Sequence, residues 1–349
     1  MKAVPEWKDR LQHWLAALKK DFYHPLGKIS LEGFSTFSHL PLEQVRKEKF
    51  LQMSENASWG HQWEYLWLRG EIMLPEEADG QLIVLDLNPG GEATLYVNGE
   101  VFGTHRADWI SDSHHYIEDN ILTENGKPGE RFEIYCEAYA GHDFPDGEVG
   151  CCATGPVFPD VPMEVDEKKL RRKLEASTYG IWNEDAYQLW MDVRTLQDIA
   201  ESLPESSLRA VKILKALETF TFTVDFEQPQ DKRIESYREA RKLLAKVMEC
   251  KNGSTVPVFY GIGHAHLDVA WLWPLAETRR KVARTFAAQI RLLEKYPEYR
   301  FLQSQPQLYA YCEELYPELF KKVKHAIQRG QWIAEGGMWV EPDTNMPSG

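Results

Sequence analysis

Two short segments towards the C-terminal end gather the residue types that do chemistry. The first reads Gly263-His264-Ala265-His266-Leu267-Asp268. In extended backbone, residues two apart point the same way, so His264, His266 and Asp268 can converge on one point. Imidazole plus carboxylate is a normal zinc set, and other divalent ions suit the same donors because affinity order alone does not fix the metal. Trp271 and Trp273 follow. A tryptophan beside polar groups suits a sugar, whose C–H groups pack on an aromatic face while its hydroxyls need polar partners. The second segment reads Glu335-Gly336-Gly337-Met338-Trp339-Val340-Glu341-Pro342-Asp343-Thr344-Asn345. Its glycines permit close backbone approach, and Glu341 and Asp343 are candidates to bind a metal or to attack a substrate. Each feature also has a structural reading: surface histidines, a helix-capping aspartate, packed tryptophans, a solvated acidic loop.

The elements around these segments place both at strand ends. Val256 to Ile262 is a short apolar run without alternation, which predicts a strand buried on both faces. A helical pattern from about Glu277 to Lys295, a strand at Phe301 to Ser304, a helix from Leu308 to Arg329 and a strand at Trp332 to Ala334 follow. Strand and helix in alternation imply a parallel sheet with right-handed crossovers, the opening of a barrel-like α/β domain over 255–349. Such sheets carry their chemistry at the C-terminal strand ends, where both segments lie. Three strands leave an open edge and bare apolar faces, so further strands are expected downstream.

Upstream, residues 1–28 repeat Trp7, Leu11, Trp14, Leu15 and Leu18 at helical spacing, an amphipathic helix expected to pack on a larger body. Residues 29–195 read as an all-β sandwich, with strands clearest at Gln62 to Ile72, Gln81 to Leu87, Thr94 to Phe102 and Arg131 to Tyr139. Asn98-Gly99 inside the third predicts a two-residue hairpin turn. Residues 196–254 form a helical connector built on LRAVKILKALETF and IESYREARKLLAKVMEC.

With 349 residues, several domains are expected. A formal net charge of -14 disfavours nucleic acid and anionic lipid as partners. No run approaches the roughly 20 apolar residues of a membrane span. Charges at Glu6, Lys8, Asp9 and Arg10 interrupt any signal-peptide core, and five cysteines, an odd number with Cys151 and Cys152 adjacent, fit a disulfide framework poorly, so a cytoplasmic setting is expected. A homo-oligomer is compatible with these features.

The segments GHAHLDVAWLWP, LQSQPQLY and GGMWVEPDTNMPSG, in this order on consecutive strand ends, resemble the opening of the catalytic domain of glycoside hydrolase family 38, the α-mannosidases. The preceding β domain and connector resemble the cytosolic and bacterial branch in general character. The resemblance implies a retaining, zinc-dependent α-mannosidase acting on mannose-containing oligosaccharides. It matches His266 and Asp268 to zinc ligands, Trp271 to the aromatic residue packing on mannose, and Asp343 to the residue that is both ligand and nucleophile. It demotes His264 and Glu341 to supporting positions and leaves Trp273 unassigned. The family's remaining zinc histidine and its acid/base carboxyl correspond to positions beyond Gly349, so residues 1–349 alone are expected to be nearly inactive and to hold zinc weakly.

Two rivals remain. His264 and His266 form the His-x-His of a zinc amidohydrolase, which leaves the second segment without a role. Trp59, Trp63, Trp67 and Trp109 could instead furnish a stacking surface, making the sandwich a carbohydrate-binding module.

Overall fold

A computed structural model describes residues 5–61, 63–105, 119–141, 170, 172–204, 206–251, 253–270 and 273–341. The chain divides into two compact units, Met1–His24 with Ile181–Phe259, and Pro25–Gly180 with Tyr260–Gly349.

The first unit is helical. Helices Pro5–Lys20, Glu184–Ser202, Leu208–Thr223 and Gln230–Met248 pack together through Leu11, Leu15, Leu18, Leu189, Val193, Leu196, Ile213, Leu217, Phe220, Tyr237 and Leu244. Asn183 and Ser207 begin two of them, accepting hydrogen bonds from the Ala186 and Ala210 amides as side-chain caps do. Two expectations are corrected here. The first helix is not a separate 1–28 element but joins this bundle, its leucine stripe facing the second and third helices. Residues 184–195, assigned to the sandwich, are helical: Asn183 caps them, and buried Ala186, Leu189, Val193, Leu196 and Ala200 recur at helical intervals.

The second unit contains a six-stranded antiparallel sheet, ordered Leu51–Gln52, Glu32–Thr36, Tyr65–Met73, Arg131–Tyr139, Glu92–Val97, Glu100–His105. A four-stranded sheet, ordered Tyr23–Lys28, Thr178–Trp182, Ile83–Asp86, Ile121–Thr123, accompanies it. The expected hairpin forms: Asn98 and Gly99 take φ values of 52° and 86°, both positive as a tight hairpin turn of this type requires. In the central strand Tyr65, Leu66, Trp67 and Leu68 are all buried, so both faces are covered. Trp59 and Trp63 are buried too, and the Trp59 indole donates to the Pro89 carbonyl. Three of the four tryptophans proposed as a sugar-stacking surface are therefore core and offer no stacking face, and Trp109 lies outside the described residues.

The remainder of this unit is a parallel sheet of Gly263–His264, Phe301–Leu302 and Trp332–Ile333, in that order. Helices Leu275–Lys295, Pro306–Leu315 and Pro317–Gln328 connect them over a core of Val282, Phe286, Phe301, Leu308, Leu319, Val323 and Trp332. The single helix expected from Leu308 to Arg329 is two, because Pro317 excludes helical backbone at Tyr316, which lies at φ -135°. The first strand is also shorter than expected. Residues 256–262 are not in a strand, and Val258, Phe259 and Tyr260 are exposed, since only Gly263 and His264 find ladder partners, in Phe301 and Leu302.

Candidate functional site

The site grows from the C-terminal ends of these three strands. His264 ends the first, and its Nδ1 donates to the Leu302 carbonyl at 2.9 Å on the neighbouring strand. Two residues on, His266 lies between two carboxylates: its Nε2 is 3.1 Å from Asp268 Oδ1 and its Nδ1 is 2.5 Å from Glu341 Oε2. Glu341 also takes a hydrogen bond from the Ser304 hydroxyl and lies 3.8 Å from His264 Nε2. Ligand atoms of His264, His266 and Glu341 fall within 4.8 Å of one another, a spacing that can hold a metal ion. Partial burial lowers the His266 pKa, but the hydrogen bond and charge of Asp268, with Glu341 behind, outweigh it and raise the group. For Glu341, burial raises the carboxyl, while Ser304 and the two histidines together bring it below its usual range.

The residues that hold these loops in place were not singled out from sequence. Gln303 and Gln305 are both buried in the segment LQSQPQLY. The Gln303 amide donates to the Ala265 carbonyl at 3.0 Å. The Gln305 amide donates to the Leu267 carbonyl at 2.7 Å and accepts from the Glu341 amide at 3.1 Å, joining the first and third loops through the middle strand. A satisfied buried amide of this kind is costly to break. The one available signal was the Gln-x-Gln spacing on a strand end, which turns both side chains the same way. Gly336 approaches the Ser304 carbonyl so closely that any Cβ would strike backbone, which explains the glycine at the turn.

Of the residues expected at the site, His264, His266, Asp268 and Glu341 come together. Trp271 and Asp343 lie outside the described residues. Trp273 packs against Trp63, in the turn before the central strand, and the sheet tyrosines Tyr65 and Tyr139, with Lys281 Nζ 4.5 Å from its ring centroid.

Residues 257–349 match the family profile described as Glycosyl hydrolases family 38 N-terminal domain, and residues 26–172 that described as Alpha-mannosidase, jelly roll domain. Alpha-mannosidase G of Dictyostelium discoideum is 31% identical over 84% of this chain and 25% of its own length. The Alpha-mannosidase of Saccharomyces cerevisiae is 31% identical over 86% and 27%, and Alpha-mannosidase 2C1 of Homo sapiens 27% identical over 97% and 32%. The chain thus spans between a quarter and a third of the length of these relatives. A β-glucuronidase of Ruminococcus gnavus overlaps 47% of this chain and 29% of its own at 14% identity with a TM-score of 0.28, a likeness that bears on neither fold nor function. Two domain matches in chain order, and alignment over more than four-fifths of this chain to named α-mannosidases, add to the three loop motifs: residues 257–349 belong to glycosyl hydrolase family 38 as its N-terminal domain.

Proposed function

We propose that this chain carries the N-terminal portion of a zinc-dependent, retaining α-mannosidase acting on mannose-containing oligosaccharides in the cytoplasm. The observation that carries the reading is the convergence of His264, His266, Asp268 and Glu341 at the C-terminal ends of consecutive parallel strands, within the family 38 match.

The donor set fits zinc, which takes nitrogen and carboxylate oxygen readily. His266 Nε2 and Asp268 face each other and supply two of the ligands, with Asp343 a third. Glu341 on the opposite ring nitrogen then orients the imidazole, as a carboxylate behind a metal-bound histidine does. When bound, the ion supplies Lewis-acid polarisation and a grip on the sugar's hydroxyls. Asp343 attacks the anomeric carbon; the glycosidic C–O bond breaks, an ester forms, and water then hydrolyses it with retained configuration. Retention also requires a second carboxyl, roughly 5 to 5.5 Å away, to protonate the leaving oxygen. Trp271 supplies the stacking face for the pyranose.

One observation favours a second ligand arrangement: ligand atoms of His264, His266 and Glu341 lie within 4.8 Å of one another, as a His-x-His metal site with a carboxylate requires. The experiment measures hydrolysis of an aryl α-D-mannoside by the full-length protein with zinc, beside Asp343→Asn, Asp268→Ala and His264→Ala. Mannosidase activity lost in Asp343→Asn, with metal lost in Asp268→Ala and kept in His264→Ala, is expected. Metal lost only in His264→Ala supports the second arrangement, and an inert, folded, metal-loaded parent sinks the mannosidase reading.

A further inference from the structure

Besides Gln303 and Gln305, a buried hydroxyl holds the loop that carries His266 and Asp268, at its far end. Thr278 is fully buried in the first turns of the Leu275–Lys295 helix, yet its side chain does not serve that helix. Its Oγ1 donates to the Asp268 carbonyl at 3.2 Å and accepts from the Ala270 amide at 3.0 Å and the Trp273 indole at 3.1 Å. One donor and two acceptor positions are all that a hydroxyl has, and all three are spent on the turn that leaves the metal-binding segment. Ala270 within that turn has φ of 64°, a left-handed conformation that a non-glycine residue holds only where its surroundings enforce it. The hydroxyl bonded to its amide is such an enforcement.

The helix is itself fixed to the six-stranded sheet beside this hydroxyl. Glu277, the preceding residue, is fully buried and accepts from the Tyr65 hydroxyl at 2.7 Å and from the Arg284 guanidinium. One turn on, Arg280 donates to Glu137 at 2.5 Å, and Lys281 reaches Glu92 at 2.7 Å. The sheet thus sets where the helix begins, and Thr278 carries that position to Asp268.

We infer that Thr278 is a positioning residue for the metal-binding turn, fixing the Asp268 backbone and the left-handed Ala270 so that Asp268 and His266 meet one ion. The inference rests on the metal reading proposed above. Residues supporting ligands in this way are worth roughly 10- to 100-fold in metal affinity.

The test uses the full-length protein with Thr278→Val, which keeps the shape and removes the hydroxyl, and Thr278→Ser, which keeps the hydroxyl. Zinc affinity is read by competition with a chelator, and amide exchange over residues 265–270 is read on the metal-free protein. The expected result is a roughly 10- to 100-fold loss of affinity with faster exchange confined to that segment in Thr278→Val, both restored in Thr278→Ser. Parent-like affinity in Thr278→Val overturns the inference while leaving the metal reading intact, as does equal loss in both variants. A parent that binds no zinc overturns the metal reading and the inference with it.

Discussion

The helical unit and the seam between the six-stranded sheet and the Leu275–Lys295 helix use the same ionic residue types under opposite conditions. In the bundle, Arg238 pairs with Asp185 and Arg241 with Asp192 with much of each arginine in solvent. At the seam, Glu277, Arg280, Arg284 and Glu137 are each no more than 5% exposed. Exposed pairs exchange water for a partner at little net gain. Buried ones cost desolvation on both sides, and their worth lies in what happens when one member is removed. Away from the half-buried Asp21–Arg233–Tyr237 cluster, the bundle is therefore held by its leucines, with charge as trim, whereas the seam specifies one geometry.

Three substitutions test that difference, in falling order of effect. Glu277→Ala leaves the Arg284 guanidinium and the Tyr65 hydroxyl without this acceptor in a dry seam, and is expected to cost roughly 3 to 5 kcal/mol in denaturant unfolding. A loss under 1 kcal/mol would mean that water enters the seam freely. Asp21→Ala is intermediate: Asp21 accepts from the Tyr237 hydroxyl at 2.6 Å and pairs with Arg233 at 3.0 Å in partial burial, so a loss of about 2 kcal/mol is expected. Arg238→Ala should change stability by less than about 1 kcal/mol, and that little should fade in high salt. If Arg238→Ala matched Glu277→Ala, burial would not be what separates the two regions.

The parts legible in the sequence were those set by neighbours in the chain. Asn98-Gly99 announces its turn because the backbone angles are local, and the Arg131–Tyr139 strand was read to its ends because alternation runs its length. His264, His266, Asp268 and Glu341 were legible as candidates because their spacing on strand ends is itself geometric. The seam was not. Glu277, Arg280 and Arg284 look like the solvated face of an amphipathic helix, and their partners Tyr65 and Glu137 lie more than a hundred residues earlier. Thr278, Ser304, Gln303 and Gln305 escaped for the same reason, being ordinary polar residues whose role depends on which carbonyl or carboxylate the fold brings beside them. The early end of the β domain was a different miss: Asn183 and the leucine spacing after it were present, but a preceding run of strands drew the boundary too late.

The run from Val256 to Ile262 bears on how residues 1–349, taken by themselves, behave at high concentration. Its β-prone side chains, Val256, Val258, Phe259, Tyr260 and Ile262, stand in solvent with their backbone outside any ladder, the condition under which chains add to one another edge by edge. Pro257 interrupts the run and cannot donate to an intruding strand, so it acts as a gatekeeper against fibrous self-assembly. The stretch past Pro257 is then where self-association of these residues is expected to start, and Phe259→Lys, at a side chain 94% exposed, is expected to suppress it.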